Sequence, residues 1–386
     1  MGSWRLHLSL DGKVGLVFSG GGARAAYEVG VLKAINDGRC PAAKNENPAE
    51  VFCGTGAGAF NAAVIASRFP GQYPGPADYL VSLWADEIPR EGRARNNRVY
   101  RKRVDTLQFF DIPYMWRRPL KSWVQYFADV GHVAPELARR TWKAVVNRNF
   151  SAWLNLAIWH DTSPMLRLIS ESISLETIRD GERGRPQRAL RVVATERGSG
   201  KARVFANADF TEEAGHAVVL ASCALPILFP TVGIQGREYM YGGLVMQTPL
   251  QPAISAGCSV IHLIHNEPRI DKPLEQEESS TREMLNHTIA VALAATLERD
   301  LESRRRVNEA MEALDRLRRD TGRDASAYLS PDAGYRRVTV HQYRPRRVLG
   351  GKSGLLDFSC KSIEASIADG ERDAMRHDCD ESGCVL

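Results

Sequence analysis

The amino-acid sequence predicts a three-layer α/β fold in which a mostly parallel central sheet is flanked by helices. The first observation is a short apolar run, KVGLVF at 13–18, which leads into the glycine turn SGGGAR and a helical pattern ending at Gly38. The second observation is a repeat of this order: AEVFC at 49–53, then GTGAG, then the helical AFNAAVIASRF. Strands that alternate with helices through glycine turns are typical of a parallel sheet.

Residues 70–160 depart from this pattern and are predicted to form a helical insertion. Six of the seven Trp residues lie there, and no strand pattern is evident. Between residues 90 and 150, fourteen Lys/Arg face five Asp/Glu, a local net charge of +9. Because the whole chain carries +5, the remainder carries a net −4, so the basic character belongs to the insertion.

The α/β pattern returns after Asp161. The predicted elements are a helix at 164–178, a hairpin of 190–195 with 201–205, a helix at 212–222, a hairpin at 233–243, a strand at 259–264, an amphipathic helix from Thr281 to about Arg319, and a surface helix within 355–370. We therefore expect an α/β domain at 13–270 that contains the insertion, a C-terminal helical region at 281–370, and a flexible tail at 371–386.

The composition, 44% hydrophobic and 25% charged, is that of a globular protein. No apolar run approaches the roughly 18 residues of a membrane span, and the first residues lack the apolar core of a signal peptide. Seven scattered cysteines without a C-x-x-C pair favour a reduced, cytoplasmic protein, with peripheral membrane contact left open. His377, Cys379 and Cys384 are an incomplete ligand set in the predicted tail, so we predict no metal site and no cofactor.

Two glycine turns contain motifs that indicate a chemical function. Backbone N–H groups of the first, Gly20-Gly21-Gly22-Ala23-Arg24, favour a phosphate or an oxyanion at the start of a helix, although a plain tight turn is the alternative. A dinucleotide motif is excluded because Ala25 stands at its third glycine. The second turn has the frame of a nucleophile elbow, G-x-S-x-G, between Gly54 and Gly58, but its central residue is Gly56. A third motif, Tyr241-Gly242-Gly243, follows the second hairpin.

Taken together and in this order, the three motifs resemble the patatin-like phospholipase family of lipid acyl hydrolases, from about Lys13 to Asn266. The resemblance implies a serine nucleophile at the centre of the elbow, an aspartate base that opens a D-G-[GA] motif, and an oxyanion hole in the first glycine loop. On this chain the nucleophile position is Gly56 and the base position is Tyr241. The oxyanion loop is Gly20, Gly21, Gly22 and Arg24, with Ala25 where the family usually has glycine.

The loss of both members of the dyad predicts a pseudoenzyme that binds a lipid or acyl group in a regulatory or scaffolding role. Without its nucleophile a hydrolase typically keeps only about a thousandfold of its millionfold catalysis. The alternative is an active lipid acyl hydrolase or esterase with relocated catalytic residues, for which Ser19, Cys53 and Thr55 are the nearest side chains in sequence. A lipid or acyl ligand is the expected partner, a protein partner is left open, and no nucleic-acid-binding motif accompanies the basic charge.

The basic, Trp-rich insertion predicts contact with an anionic membrane surface through Arg117, Arg118 and Lys121, with a solvated basic face over an aromatic core as the alternative. Replacing these three residues by Glu is expected to reduce binding to anionic liposomes. Binding of the wild type should weaken as salt rises, because exposed charges are screened over about 10 Å at 0.1 M salt. Co-sedimentation measures both effects, and equal binding to neutral and anionic vesicles would contradict the membrane contact.

Overall fold

The computed structural model describes most of the α/β pattern and only small parts of the insertion. The described residues are 12–44, 46–69, 71–89, 97–102, 128–135, 137–139, 160–181, 188–226, 228–268, 281–322 and 336–385, without the side chains of 281–300 and 351–353. The predicted membrane-contact residues Arg117, Arg118 and Lys121 lie outside these ranges.

Strands and helices alternate along most of the described chain. The strands are β1 (Lys13–Phe18), β2 (Val51–Thr55), β3 (Arg101–Lys102), β4 (His160–Asp161), β5 (Ala189–Glu196), β6 (Ala202–Ala206), β7 (Val232–Ile234), β8 (Arg237–Tyr241), β9 (Cys258–Ile264) and β10 (Thr339–Tyr343). The helices are α1 (Ala26–Asn36), α2 (Ala57–Ala66), α3 (Pro76–Ser82), α4 (Ser163–Ser172), α5 (Leu175–Asp180), α6 (Gly215–Cys223), α7 (Leu250–Ser255), α8 (Thr281–Thr321), α9 (Cys360–Met375) and α10 (Cys379–Ser382).

The central sheet has eight strands, seven of them in the order β10-β9-β1-β2-β5-β8-β7. The eighth strand, β6, lies outside this order and pairs with β5. The neighbours from β10 to β5 are parallel, whereas the β5–β6, β5–β8 and β7–β8 pairs are antiparallel. The prediction of an α/β fold with a mostly parallel central sheet flanked by helices is therefore confirmed.

Successive side chains of the buried strands enter two different apolar cores. Leu16 and Phe18 of β1 pack in the larger core with side chains of α1, α2 and α6. Val17 points to the opposite face, where it packs with side chains of α7 and with Leu301 of α8. This period of two, with both faces covered by helices, explains why β1 and β2 are mostly apolar.

The C-terminal part of the chain belongs to the same core as the N-terminal part. Helix α9 crosses α1 at two glycines: a Cβ atom at Gly30 would overlap the carbonyl oxygen of Ile367, and one at Gly370 would overlap that of Tyr27. Strand β10, which the sequence analysis does not predict, extends the sheet beyond β9. The expected division at 281–370 therefore separates elements that share one sheet and one core.

Residues 371–386, which were expected to form a flexible tail, contain the end of α9 and the short helix α10. Beyond α10, Val385 exchanges two backbone hydrogen bonds with Val340 of β10, at 2.7 and 2.9 Å. These bonds pair the C-terminal residues with the edge strand, which satisfies backbone groups that an open edge would leave to solvent. Residues 371–385 are thus part of the folded structure.

Candidate functional site

The two glycine turns lie side by side because β1 and β2 are adjacent and parallel, with Phe18 opposite Gly54 in register. Both strands end at the same edge of the sheet. A Cβ atom at Gly56 would lie 3.4 Å from the Cα atom of Gly20, so the backbones of the two turns are in contact. Gly56 has φ 60° and ψ −131°, a conformation that L side chains rarely adopt, and α2 begins directly after it. The two glycine turns are therefore neighbours in the structure.

The ring of Tyr241 fills the space between these turns. A Cβ atom at Gly56 would lie only 2.6 Å from Tyr241 Cε2, and Cβ atoms at Gly20 and Gly243 would also overlap the Tyr241 side chain. The phenol donates a hydrogen bond to Gln247 Oε1 at 2.8 Å, and Gln247 Nε2 in turn donates to the carbonyl oxygen of Gly20. Burial raises the pKa of Tyr241 above its ordinary value, so the phenol stays protonated at neutral pH.

The backbone of Gly56 is held by side chains of α6. Its N–H group donates to Ser222 Oγ at 2.9 Å, and the Ser222 hydroxyl donates to the carbonyl oxygen of Val193 at 2.6 Å. The thiol of Cys223 donates to the carbonyl oxygen of Gly56 at 2.9 Å. Both polar groups of Gly56 are therefore satisfied by side chains, which fixes the turn in its left-handed conformation.

The four predicted oxyanion residues have different environments. The N–H group of Gly20 donates to the carbonyl oxygen of Gln247 at 3.3 Å, and that of Arg24 donates to Gly21 O at 3.1 Å. The Arg24 guanidinium forms an ion pair with Glu267. Within the part of the chain that the structure describes, the amides of Gly21 and Gly22 have no hydrogen-bond partner. The loop therefore retains two adjacent donors for an anion or a carbonyl oxygen.

A buried carboxyl group supports the glycine loop from below. Glu28 accepts hydrogen bonds from Asn61 Nδ2 at 2.7 Å and from Asn266 Nδ2 at 2.8 Å. Asn61 Oδ1 accepts from the indole of Trp84 at 2.8 Å, and Asn266 Nδ2 also reaches the carbonyl oxygen of Ser19 at 3.1 Å. Burial raises the pKa of Glu28 well above its usual range and outweighs these hydrogen bonds, which lower it. This network joins α1, α2 and the end of β9.

An apolar cavity of about 60 Å³ opens beside the two turns and includes Gly22, Gly56 and Tyr241 in its wall. The other walls are mostly apolar side chains, among them Phe60, Trp84, Met165, Leu168, Cys223 and Phe358. By volume the space equals about four water molecules, but its apolar lining favours hydrocarbon over water. The site can thus hold a small apolar group next to the backbone of Gly22.

Three side chains that organise the site are not predicted from the sequence: those of Ser222, Gln247 and Glu28. Glu28 was detectable in principle, because it is an acidic residue within the otherwise apolar first turns of the helical pattern AAYEVGVL. Ser222 and Gln247 carry no such signal, since their roles depend on the pairing of β5 with β2 and β8.

The patatin-like phospholipase family matches residues 16–254, which is more than half of the chain. The chain therefore belongs to the patatin-like phospholipase family.

Among solved structures, VipD from Legionella pneumophila is similar, with 14% sequence identity and a TM-score of 0.37. The alignment covers 95% of this chain and 66% of the VipD chain, so this chain spans slightly less than two thirds of the length of VipD. No curated protein matches the sequence significantly. Within the described residues, no helix combines the length and the apolar character that a membrane crossing requires.

The buried carboxyl of Glu28 predicts a particular pH dependence of stability. Because its pKa is raised in the folded state, Glu28 contributes stability that is complete below its unfolded pKa and is lost as the pH rises through the folded value. Glu28→Gln removes this titration, so the free energy of unfolding of the wild type should fall relative to the variant as the pH rises from about 4.3. Urea denaturation from pH 4.5 to 8 measures the difference, with Glu364→Gln on the exposed face of α9 as the control. Parallel pH profiles for wild type and Glu28→Gln would contradict a buried, protonated carboxyl.

Proposed function

We propose that this patatin-like chain is a catalytically impaired protein that binds a lipid acyl group beside Gly56 and Tyr241 and acts in a regulatory or scaffolding role. The observation that carries the proposal is the position of the Tyr241 ring, 2.6 Å from the place of a Cβ atom at Gly56. A serine at Gly56 would overlap this ring. The family resemblance assigns catalysis to a serine and an aspartate at these two positions. Glycine and tyrosine stand there instead, and the absence of a side chain at Gly56 leaves room for the Tyr241 ring.

Neither residue supplies the chemistry of ester hydrolysis. Gly56 has no side chain that attacks a carbonyl carbon. The Tyr241 phenol has a pKa raised by burial and already donates its proton to Gln247, so it does not accept a proton from an alcohol at neutral pH.

The neighbouring nucleophiles do not favour the alternative, a hydrolase with relocated residues. The hydroxyl of Thr55 donates to the carbonyl oxygen of Met246 at 3.0 Å. Cys53 lies in the core on the opposite face of the sheet, and burial raises the pKa of its thiol. Ser19 is only 3% exposed and is absent from the cavity wall. Cys223 does reach the cavity, but burial raises the pKa of its thiol too, which disfavours the reactive thiolate.

The binding part of the proposal rests on the cavity, which Gly22 lines, and on the unpaired amides of Gly21 and Gly22. Apolar walls suit the first carbons of an acyl chain, and the N–H groups of Gly21 and Gly22 suit its carbonyl or carboxylate oxygen.

The first test restores the dyad. Gly56→Ser combined with Tyr241→Asp removes the overlapping ring and supplies a nucleophile with a base, so the double variant should gain esterase activity on p-nitrophenyl esters. Gly56→Ser alone should stay inactive, because its Cβ atom meets Tyr241 Cε2 at 2.6 Å and because no base is present. The matched control, Gly56→Ser with Tyr241→Asn, opens the same space without a carboxylate. The Asp variant should exceed it by about 10²-fold or more, the usual contribution of a general base.

Two outcomes of this series would count against the proposal. Turnover of p-nitrophenyl esters by the wild type that is abolished by Cys223→Ala would establish a relocated nucleophile. A folded Ser/Asp double variant without activity on any ester would show that the cleft no longer accepts an acyl group, and the protein would then be an interaction module.

The second test measures binding directly. Met165 lines the cavity and is 7% exposed, whereas Leu166, its neighbour on α4, is 40% exposed. Met165→Trp should fill the cavity and reduce binding of a fluorescent short-chain fatty acid by at least about tenfold, which corresponds to 1.4 kcal/mol. Leu166→Trp adds the same ring on the outer face and should leave the affinity unchanged. Equal affinities for both variants, with circular dichroism showing both folded, would exclude this cavity as the acyl site.

A further inference from the structure

Four side chains of metal-ligating type meet where the C-terminal residues pack against the edge strand β10. They are His341 of β10, His377, Cys379 and Cys384, and their ligand atoms all lie within 4.8 Å of one another. Cys379 Sγ is 3.4 Å from His341 Nδ1 and 3.6 Å from His377 Nε2, and Cys384 Sγ is 3.5 Å from His377 Nε2. In a tetrahedral zinc site, bonds of about 2.3 Å to sulfur and about 2.0–2.1 Å to nitrogen separate such ligand atoms by about 3.6 Å.

We propose that these four residues bind one Zn²⁺ ion in a Cys₂His₂ site. Two thiolates and two imidazoles are the ligands that zinc prefers in structural sites. The ligand atoms would be His341 Nδ1, His377 Nε2 and the two sulfur atoms. Binding forms four bonds to the metal and releases the two thiol protons to solvent, with no change of oxidation state.

The local backbone builds the cysteine pair of this site. Asp378 caps α10 by accepting hydrogen bonds from the N–H groups of Asp380 and Glu381, at 2.9 and 3.0 Å. Gly383 ends the helix in the left-handed conformation, with φ 68°. The N–H group of Cys384 then donates to the carbonyl oxygen of Cys379 at 3.0 Å. One short turn thus brings both thiols to the same side, and the pairing of Val385 with Val340 directs that side towards β10.

Polar groups around the cluster occupy the positions that orient metal ligands. His341 turns its second nitrogen, Nε2, to Glu46 Oε1 at 3.4 Å, while Nδ1 faces the cluster. His377 turns Nδ1 to Ser382 Oγ at 3.4 Å. The backbone N–H of Gln342 donates to Cys384 Sγ at 3.3 Å, a bond that stabilises a thiolate. A carboxylate behind a ligating histidine is a common arrangement in zinc sites, because it fixes the orientation of the ring.

The inference is independent of the acyl site, since none of the four residues lines the cavity beside Gly56. Four protein ligands complete the coordination and leave no position for a substrate, so the metal has a structural role. It would fasten the C-terminal turn to β10 and, through Glu46, to the segment before β2. The sequence analysis expects no metal because it finds only three of the ligands; the fourth, His341, lies on a strand that it does not predict.

The experiment uses the full-length protein, expressed with zinc in the medium and purified under reducing conditions without chelator. Elemental analysis should give about one zinc per chain. Exchange for Co²⁺ should produce the visible absorption of a tetrahedral cobalt site together with a thiolate charge-transfer band. Removal of the metal by a chelator should lower the melting temperature, and addition of Zn²⁺ should restore it.

Variants separate a built site from adventitious binding. Cys384→Ser should lose the stoichiometric zinc and the charge-transfer band, whereas Cys384→His keeps four ligands and should keep the metal. Cys360→Ser, at an exposed cysteine on α9, is the matched control and should behave as wild type. Glu46→Gln keeps every ligand and should weaken zinc affinity by about 10–100-fold, as loss of an orienting carboxylate does.

Three results would overturn the proposal. The first is wild-type protein that neither contains zinc nor gives the cobalt spectrum when titrated. The second is unchanged metal binding by Cys384→Ser. The third is a Cys379–Cys384 disulfide in protein kept under reducing conditions, because oxidised sulfur atoms do not ligate zinc; mass spectrometry after thiol alkylation detects it.

Discussion

The parallel pairing of β1 with β2 is the constraint on which the candidate site depends. It ends both strands at the same edge of the sheet and brings the backbones of Gly20 and Gly56 into contact. Side chains at these positions would collide with the Tyr241 ring, so the three residues form one packing unit. The Tyr241 ring therefore fills the space in front of Gly56, between the two glycine turns.

The groups that hold this arrangement are polar and buried, and apart from Asn266 Oδ1 the atoms named here are hydrogen-bonded. Ser222 and Cys223 bind the two backbone groups of Gly56, and Glu28 joins Asn61 to Asn266 beneath the glycine loop. Loss of one partner would lower the free energy of unfolding, because a buried polar group without a hydrogen bond costs about 1–3 kcal/mol. These hydrogen bonds therefore stabilise the shape of the site independently of any catalytic activity. A ligand-binding site requires such a stable shape.

The C-terminal residues are held by the same sheet, at its outermost strand β10. Strand β10 pairs with β9, and Val385 pairs with β10, so the end of the chain is fixed by backbone hydrogen bonds rather than by apolar burial alone. Helix α10 has only four residues and does not stabilise itself in isolation. The position of α10 is therefore set by the strand on which it packs. This position also brings the two cysteines and two histidines together.

The sequence by itself determined the strand–turn–helix units, the fold class and the three family motifs, because hydrophobic period and glycine turns are local properties that neighbouring residues encode. It also led to the prediction that Gly56 and Tyr241 stand at the nucleophile and base positions of the family. Only the tertiary structure decided that the Tyr241 ring lies over Gly56, that Gln247 and Ser222 hold the two partners, and that His341 joins Cys379 and Cys384. Strand order and register bring these residues together across long stretches of chain, and no local pattern specifies either of them.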